Sequence, residues 1–515
     1  MEEPTQSIEN LINLLVNQAH ELEIIDSRDI IYFKNCLYQK FKISYTVDIK
    51  FTKLTQSTFD TNIPQICQQI IRLLSAQQKQ LLGSSYDMIE TNIISTLLPP
   101  PSYIEQRFWH KYHQLGIKQA IDWYYNYSCS TNYIKMYELE KNQSWITQTQ
   151  YGNLQITINL SKPEKDPLEI AQLKTKPQDN NLYPKCLLCI ENEGFEGSNT
   201  LPSRHTHRMI ELKLNKQSWF FQFSPYSYYN QHSIVINTKH YDMQINEDTL
   251  KAFFDFLDFA PHYIIGSNSD IPIVGGSILN HDHYQAGDYQ FPIELSKIKF
   301  SLDSTICPNI KINYLNWPIS TIQLVGNRVN LLKLGTFLIN KWYTYSNPEL
   351  SIIAKSGDIR HNGITPILRR LDNNLYALYI LLRNNRTNSE YPEGIFHPHK
   401  NLHHIKKENI GLIEAMGLAI LPGRLSTELE EIAKLLLLNN EILGLEYLEN
   451  NQTLHKHKSW FIELIAKYNR FDITTVNSIL QNEIGYKFGQ ALEHCGVFKN
   501  HPDHDTALRD FLNDI

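Results

Sequence analysis

Two histidines and a glutamine alternate along one segment near the middle of the chain. His281, His283 and Gln285 stand at spacing two, after a predicted strand at residues 263–266. If the segment is itself a strand, the three side chains share one face, because side chains alternate along a strand. Two imidazoles and an amide in line suit chemistry on a phosphate. A neutral imidazole can attack phosphorus, while its neighbours orient it or hydrogen-bond the phosphoryl oxygens.

The residues around this segment leave two interpretations open. Gly275, Gly276 and Ser277 lie just upstream and could offer backbone N–H groups and a hydroxyl to the same phosphate. Asp282 and Tyr284 would point to the opposite face of the strand. The alternative is a pair of structural or metal-binding histidines, and the spacing alone does not decide between the two.

The composition excludes several classes of protein. The 515 residues include 48 Lys plus Arg and 54 Asp plus Glu, a net charge of −6, which argues against a general nucleic-acid-binding protein. Hydrophobic residues make up 42% and charged residues 20%, as in a folded globular chain rather than a disordered or fibrous one. No stretch approaches the roughly 18–20 apolar residues of a membrane helix.

Cysteine usage and the first residues predict the compartment. Seven cysteines, an odd number, are spread thinly over the chain, which is not the pattern of a disulfide framework. The acidic, polar beginning MEEPTQSIEN is unlike a secretory signal. We therefore expect a cytoplasmic protein with reduced thiols and no membrane partner.

The hydrophobic pattern predicts a helical segment over residues 1–180. It opens with an apolar stripe at helical spacing, formed by Ile8, Leu11, Ile12, Leu15, Ala19 and Leu22. Weaker helical patterns follow at 66–82 and 104–125. The polar stretch 161–181 predicts a linker or long loop.

A mixed region follows, which predicts an α+β fold. Residues 219–223, 233–236 and 263–266 are β-prone. A helix before the last of these strands is indicated by one apolar face, formed by Leu250, Phe253, Phe254 and Leu257. Thr427 and Glu430 resemble a capping box that opens a helix through Leu438. The predicted division is 1–180 helical, 181–305 with the two-histidine motif, 306–425 a second mixed part, and 426–515 a helical tail.

Several blocks in order resemble the galactose-1-phosphate uridylyltransferases, a branch of the histidine-triad superfamily, and in particular their class II bacterial form. The H-x-H-x-Q signature of that family corresponds to residues 281–285. Further matching blocks are YPKCLLC (183–189), ENEG (191–194), SRHTHR (203–208), FQFSPY (221–226), YNQH (229–232), GSN (266–268), PIVGGS (272–277), RNNR (383–386), GIFHPH (394–399), HHIKKENI (403–410) and MGLAILP (416–422).

The resemblance implies a fold and a reaction. The fold is two histidine-triad-like halves with antiparallel sheets, flanked by helical N- and C-terminal segments. The reaction exchanges UMP between UDP-glucose and galactose 1-phosphate through a uridylyl-histidine, in galactose metabolism. The family's nucleophile is the second histidine of the motif, here His283, with His281 and Gln285 as catalytic neighbours. Gln285 replaces the third histidine of hydrolytic relatives, and a neutral amide gives water no acid–base help.

Substrate-binding residues also follow from the matching blocks. The residues expected to contact the sugar nucleotide or hexose 1-phosphate are Arg204, Arg208, Asn268, Ser277, Arg383, Asn384, Arg386, His397 and His399. For the arginines the alternative is a solvated surface group, for Asn384 a turn cap, and for the histidine cluster a packed loop. Gly363 stands where the family pattern predicts a hydroxyl residue, so no role is assigned there.

The resemblance also implies a structural zinc ion and no organic cofactor. Cys186-x-x-Cys189 is half of a zinc site by its spacing, which taken alone also suits a buried turn. In class I relatives, two cysteines, a later histidine and the first motif histidine hold zinc. The corresponding ligands here are Cys186, Cys189, His240 and His281, with His232 as the rival of His240. Class I members are dimers, so a homodimer is expected.

Two other functions compete with the transferase. One is a nucleotide phosphorylase or hydrolase of the same superfamily, and Gln285 argues against the hydrolase. The other is a protein that binds sugar nucleotides without catalysis. The intact motif argues against it, because a silent relative has no chemical need to keep the nucleophile His283.

Overall fold

The helices alternate with short strands in the middle of the chain and follow one another at both ends. A computed structural model describes residues 7–43, 62–161, 183–198, 201–276, 278–308, 310–513 and 515. Ser277 and nearly all of the predicted linker 161–181 lie outside these ranges. The α-helices are α1 (Ile8–Glu21), α2 (Ile30–Phe41), α3 (Ile63–Leu73), α4 (Ala76–Leu82), α5 (Tyr86–Ser95), α6 (Pro101–Leu115), α7 (Ile117–Ser130), α8 (Met136–Leu139), α9 (Glu247–Phe259), α10 (Arg328–Thr344), α11 (Leu412–Ala415), α12 (Arg424–Leu437), α13 (Glu441–Asn450), α14 (Lys458–Lys467), α15 (Val476–Cys495) and α16 (Pro502–Leu512).

The strands are short and mostly antiparallel. They are β1 (Gln143–Thr149), β2 (Gly152–Asn159), β3 (Ile210–Leu214), β4 (Gln217–Phe223), β5 (Ser233–Asn237), β6 (Ile264–Gly266), β7 (His283–Gly287), β8 (Ile298–Asp303), β9 (Lys311–Leu315), β10 (Thr321–Gly326), β11 (Lys355–Ser356), β12 (Ile359–Arg360), β13 (Asn362–Arg370), β14 (Tyr376–Asn384) and β15 (Leu418–Pro422). The α+β class predicted from the sequence is confirmed.

The internal contacts divide the chain into two units. The first comprises Met1–Tyr137, Gln178–Ser227 and Gln231–Lys239, and the second comprises Glu138–Pro177, Tyr228–Asn230 and His240–Ile515. The predicted four-part division of the chain stays a prediction. Among the described residues, no helix is both long enough and apolar enough to cross a membrane.

The first unit combines the N-terminal helices with a three-stranded meander. The stripe predicted for α1 is confirmed: Leu11, Ile12 and Leu15 are buried, and the Ser7 hydroxyl caps the helix by accepting from the Asn10 amide at 3.3 Å. Strands β3, β4 and β5 pair antiparallel in sequence order. The β3–β4 turn uses Asn215 and Lys216, both at positive φ, as a two-residue hairpin requires.

The second unit holds seven strands of an antiparallel sheet in the order β7-β6-β13-β14-β10-β9-β8. Helices α9 and α10 cover one face, where Phe253 packs edge-on against Tyr284 at 4.9 Å. Gly335 of α10 lies directly over Leu378, so a Cβ there would sit 2.7 Å from that side chain. The opposite face carries Tyr379 and Leu381 into a core shared with the C-terminal helices. This second face carries the candidate site.

Two predictions about elements are wrong. Residues 143–159 form the β1–β2 hairpin, not helix, and β15 pairs in parallel with β2. The alternate burial of Leu154, Ile156 and Ile158 fits a strand with one buried face. Helix α12 begins at Arg424, so Thr427 lies inside it, and its hydroxyl donates to the Arg424 carbonyl oxygen at 3.1 Å rather than capping the helix.

Candidate functional site

His283 opens β7 with one ring nitrogen already bonded. Its Nδ1 lies 2.8 Å from the carbonyl oxygen of His281, and the side chain is 6% exposed. A carbonyl oxygen only accepts hydrogen bonds, so Nδ1 carries the proton. The lone pair of the neutral ring is therefore on Nε2. The motif predicted one strand for all three residues, but the strand starts at His283 and His281 precedes it.

The strand register places Gln285, His283 and Arg383 on one face of the sheet. Gln285 pairs with Gly266, which pairs with Ile367, and Ile367 pairs with Tyr379. Arg383 lies four residues beyond Tyr379 along β14 and therefore on the same face. It is displaced toward the same end of the sheet as His283. The register thus gathers an imidazole, an amide and a guanidinium on the face opposite to α9 and α10.

Asp282 and Tyr284 point to the face covered by α9 and α10, as predicted. The Tyr284 hydroxyl donates to Asp282 Oδ2 at 3.4 Å, and Tyr284 is 2% exposed. Burial raises the pKa of Asp282 to about 7. This carboxyl is therefore a structural neighbour of the motif, on the sheet face opposite to the His283 side chain.

Arg383 is a buried cation with spare donors. The residue is 1% exposed, and its Nη2 donates to the Ile410 carbonyl oxygen at 2.8 Å. Its Nε and Nη1 have no hydrogen-bond partner within the described part of the chain. Burial lowers the pKa of this guanidinium. A buried guanidinium with two unbonded N–H groups suits an anion that arrives with the substrate.

The loop after β6 folds tightly back on itself beside this face. Asn268 Oδ1 accepts from the Leu412 amide at 2.8 Å. A Cβ on Gly275 would lie 2.6 Å from the Ser269 carbonyl oxygen, and a Cβ on Gly276 would lie 3.0 Å from Asn268 Nδ2. The two glycines are therefore required for the close approach of the two ends of the loop.

Comparison with known proteins decides the family. The family model described as "Galactose-1-phosphate uridyl transferase, N-terminal domain" matches residues 36–242, and its C-terminal counterpart matches residues 257–460. The chain belongs to the galactose-1-phosphate uridylyltransferase family. The two matches in succession agree with the expected arrangement in two halves, and the resemblance seen in the sequence is confirmed.

Curated relatives of this family match over nearly the whole chain. Galactose-1-phosphate uridylyltransferase of Fusobacterium nucleatum subsp. nucleatum is 41% identical over 516 residues, with 98% of each chain covered. The Bacillus subtilis (strain 168) protein of the same name is 39% identical over 511 residues, covering 99% of this chain and 98% of its own. Among solved structures, yeast Ap4A phosphorylase Apa2 gives a TM-score of only 0.31 at 11% identity, covering 56% of this chain and 81% of its own.

Two residues of the family block RNNR make bonds within the fold. Asn384 Nδ2 donates to Asn362 Oδ1 at 2.7 Å and to the Ile353 carbonyl oxygen at 3.0 Å. Arg386 donates through Nε and Nη2 to the Ser351 carbonyl oxygen. These contacts tie β14 to the segment before β13. The predicted substrate contacts of both residues stay predictions.

The histidines of the family block GIFHPH are also engaged. His397 contacts the Pro398 carbonyl oxygen through Nδ1 and Asn409 Oδ1 through Nε2, both at 3.1 Å. His399 lies between the rings of Tyr391 and His494, at centroid distances of 4.3 and 4.1 Å. Burial lowers the pKa of His397 and of His399. Both rings are therefore held neutral at pH 7, and their predicted contacts to the hexose phosphate stay predictions.

The first unit supplies two further predicted arginines. Arg208 is 8% exposed, and its guanidinium donates to the backbone carbonyl oxygens of Pro99, His205 and His207. Arg204 Cζ lies 5.9 Å from the ring centroid of Tyr133. Arg208 is thus bonded within its own unit, and the substrate contacts predicted for both arginines stay predictions.

The four residues that the resemblance implies as zinc ligands form two pairs, one within each unit. In the first unit, Cys186 N donates to Cys189 Sγ and Leu188 N donates to Cys186 Sγ, both at 3.4 Å. In the second, the rings of His240 and His281 lie 3.9 Å apart. His240 Nε2 is buried, and no described residue bonds to it. Thiolates and imidazoles are the ligands that zinc prefers, so the residue types in each pair fit the ion.

A second group of ligand types lies within the second unit. Ligand atoms of Glu393, His397 and His403 are all within 4.8 Å of one another. His403 Nε2 contacts the Pro398 carbonyl oxygen at 2.9 Å, the same oxygen that His397 contacts. The two rings thus share one backbone acceptor, which accounts for their closeness.

Residue types alone missed Ser269 and Asp270, which adjoin the family block at 272–277. A Cβ on Gly363 would lie 2.3 Å from Ser269 Oγ. The Ser269 hydroxyl thus occupies the space that a side chain at residue 363 would fill. Asp270 makes an ion pair with Arg360 at 2.7 Å. The position of Asp270 two residues before the block was the one available signal.

Proposed function

We propose that the protein exchanges UMP between UDP-glucose and galactose 1-phosphate, with His283 as the nucleophile. The observation that carries this proposal is the bond from His283 Nδ1 to the His281 carbonyl oxygen. It leaves Nε2 as the ring nitrogen with the lone pair, on the sheet face that also carries Gln285 and Arg383. Membership of the family and the curated names of its members support the same substrates.

The first half-reaction transfers UMP to the enzyme. His283 Nε2 attacks the α-phosphorus of UDP-glucose, an N–P bond forms, and the P–O bond to glucose 1-phosphate breaks. The leaving group departs as a phosphate monoester and needs no proton from a general acid. The imidazole becomes positively charged, and donation from Nδ1–H to the His281 carbonyl oxygen stabilises that charge. The result is a uridylyl-histidine.

The second half-reaction returns the imidazole to its starting state. A phosphate oxygen of galactose 1-phosphate attacks the same phosphorus, the N–P bond breaks, and UDP-galactose leaves. Gln285 donates its amide N–H to a phosphoryl oxygen in both steps, and an amide cannot deprotonate water. The covalent intermediate therefore survives until a phosphorylated acceptor arrives.

The predicted binding residues include cations and hydrogen-bond donors for the negatively charged phosphates of the substrates. Arg383 directs its two unbonded donors toward a phosphoryl oxygen. The other groups assigned to the sugar nucleotide and hexose phosphate are Arg204, Arg208, Asn268, Ser277, Asn384, Arg386, His397 and His399. The cytoplasmic location, the homodimer and the lack of a nucleic-acid partner remain predictions that no observation here tests.

A structural zinc ion is part of the proposal. Cys186, Cys189, His240 and His281 would hold it, and bound zinc would fix the backbone at His281, whose carbonyl oxygen orients His283. Elemental analysis of active protein should find about one zinc per chain, and Cys189→Ser should reduce it. Active protein free of zinc would contradict this part.

Intact-protein mass spectrometry tests the covalent step. Protein mixed with UDP-glucose alone should gain the mass of one uridylyl group, and galactose 1-phosphate should remove it. His283→Ala should show no adduct, whereas His113→Ala, at an exposed position on α6, should behave as the parent. An adduct that galactose 1-phosphate leaves in place would mean that galactose 1-phosphate is not the acceptor. Binding of UDP-glucose with no adduct would favour the non-catalytic alternative.

A further inference from the structure

The loop between β6 and β7 contains a residue with strained backbone. Ile273, in the sequence Asp270-Ile-Pro-Ile-Val-Gly-Gly276, has a φ of +75°, which a β-branched side chain adopts only when its surroundings enforce it. The same loop supplies Asn268, Gly275 and Gly276 beside the sheet face that carries His283. Something in the fold must therefore hold this loop in an unfavourable conformation.

Two side chains from outside the loop, Arg360 and Asn385, bind its residues that precede Ile273. Arg360 Nη2 lies 2.7 Å from Asp270 Oδ2, and the Asp270 side chain is 3% exposed. Asn385 Nδ2 donates to the Pro272 carbonyl oxygen at 3.2 Å, and Asn385 in turn contacts His361 Nδ1 at 2.9 Å. Arg360 and His361 are adjacent, at the end of β12 and just before β13.

Asp270 also holds the segment that leads to α9. Its Oδ2 accepts from the Ile245 amide at 3.0 Å, and the Ile245 carbonyl oxygen accepts from the Tyr343 hydroxyl at 2.8 Å. The guanidinium of Arg360 lies over the Tyr343 ring at 4.2 Å. Arg360, Asp270, Ile245 and Tyr343 therefore form a closed ring of contacts, which we call the loop brace.

The held segment lies against the motif itself. Met243 N donates to the Leu279 carbonyl oxygen, and Asp282 N donates to the Tyr241 carbonyl oxygen, both at 2.8 Å. Residues 241–245 thus run beside residues 279–282, which include His281. Through Asp270 and Ile245, the loop brace fixes both the strained loop and the backbone that supplies the carbonyl oxygen to His283.

We propose that Arg360 is a positioning residue for UMP transfer. Its contacts are with Asp270 and Tyr343, and it acts through Asp270 by keeping the loop and residues 279–282 in register. The inference rests on the proposed function. A displacement of about 1 Å at a reacting group can cost 100-fold in rate, so loss of the brace should slow chemistry without unfolding the protein.

The test compares Arg360→Gln with Arg328→Gln. Arg328 pairs with Asp255 and Asp258, and its side chain is 36% exposed against 32% for Arg360. We expect Arg360→Gln to lower the rate of uridylyl-enzyme formation by 10- to 100-fold, with kcat reduced far more than the KM for UDP-glucose rises. Arg360→Lys should recover part of the rate. Arg328→Gln should leave it unchanged.

Hydrogen exchange supplies a readout independent of activity. Amides in residues 270–276 and 241–245 should exchange faster in Arg360→Gln than in Arg328→Gln. A parental adduct rate in Arg360→Gln, with only a lower Tm, would overturn the proposed role of Arg360. So would loop exchange equal to that of the control. A parent chain that forms no adduct would overturn the proposed function, and the positioning role with it.

Discussion

At the scale of single residues, the candidate site depends on donors and acceptors whose partners are supplied by backbone. The carbonyl oxygen of His281 determines which nitrogen of His283 bears the proton. Arg383 presents the reverse case, because its Nε and Nη1 find no partner among the residues described. His283 Nδ1 thus has its partner within the fold, whereas Arg383 retains two N–H groups that could donate to an anion, as preorganised electrostatic stabilisation requires.

Replacement of Arg383 by an apolar residue should therefore lower activity without lowering stability. Arg383→Met removes a buried charge with two unbonded donors and keeps much of the side-chain volume. We expect a fall of at least about 100-fold in kcat/KM, the cost of losing a preorganised donor, with a Tm no lower than that of the parent. Steady-state kinetics and thermal unfolding measure both.

Arg509→Met provides the comparison for this substitution. Arg509 is exposed and lies 3.8 Å from the ring centroid of Phe300, so its replacement should leave kcat/KM unchanged. If Arg383→Met instead lowered the Tm strongly while sparing kcat/KM, Arg383 would be a structural residue and would have no role in binding the phosphate.

At the scale of elements, helix α15 lies against the β1–β2 hairpin through a glycine. A Cβ on Gly485 would lie 2.2 Å from Thr147 Oγ1, and Thr147 is fully buried. Gly489, one turn further along the same helix, has only Leu154 Cδ1 nearby, at 3.7 Å. The close approach is therefore confined to one turn of the helix.

These two glycines should respond oppositely to alanine. Gly485→Ala forces α15 away from the hairpin and should cost about 1–3 kcal/mol of unfolding free energy, as overpacking does. Gly489→Ala should be neutral or stabilise by up to about 1 kcal/mol, because alanine favours helix. Urea unfolding of the two variants measures the difference, and equal effects would contradict the packing described here.

Elements were predictable where burial follows local periodicity. Helices α1 and α9 each have one apolar face that can be read along the chain, and strands β4 and β5 come from short β-prone runs. The β1–β2 hairpin was missed, although the alternation of Leu154, Ile156 and Ile158 in β2 is typical of a half-buried strand. The pairing of β2 with β15, which comes from residues 418–422, leaves no local signal.

The residue types of the candidate site could be predicted from the sequence, but their geometry could not. Residue types and family resemblance identified the motif and Arg383. The tautomer of His283 depends on a backbone carbonyl oxygen. The ion pair between Arg360 and Asp270 depends on tertiary folding. Neither follows from residue identities. Spacing alone also placed His281 in the strand, whereas the strand begins two residues later.

At the scale of the whole molecule, buried neutral histidines set the response to acid. Burial lowers the pKa of His404 and of His494 to about 3, and holds that of His207 well below its usual value. Below about pH 6.5 these histidines become protonated in the unfolded chain but stay neutral in the folded protein. The free energy of unfolding therefore falls as the pH falls. Burial raises the pKa of Asp282 and Glu193 to about 7. As the pH falls from 7 to 4, protonation of these two carboxyls in the folded state therefore stabilises the fold, which opposes the effect of the histidines.

The histidines should outweigh the two carboxyls, so we expect the Tm to fall as the pH drops from 7 to 5. His207→Phe keeps a ring against Tyr133, which stacks on His207 at 4.3 Å, and should lessen that fall. His455→Phe, at a side chain 54% exposed, should follow the parent. A Tm that rose steadily on acidification would show that the carboxyls dominate.

The parallel pairing of β2 with β15 has a consequence for synthesis on the ribosome. Gln155 pairs with Leu418, 263 residues later. At translation rates of about 5–20 residues per second, the hairpin waits roughly 13–50 s for its partner strand to be made. During that interval one edge of β2 has no neighbour from this sheet, and nascent chains on crowded polysomes could pair there. Chaperone dependence during synthesis should therefore concentrate on this hairpin.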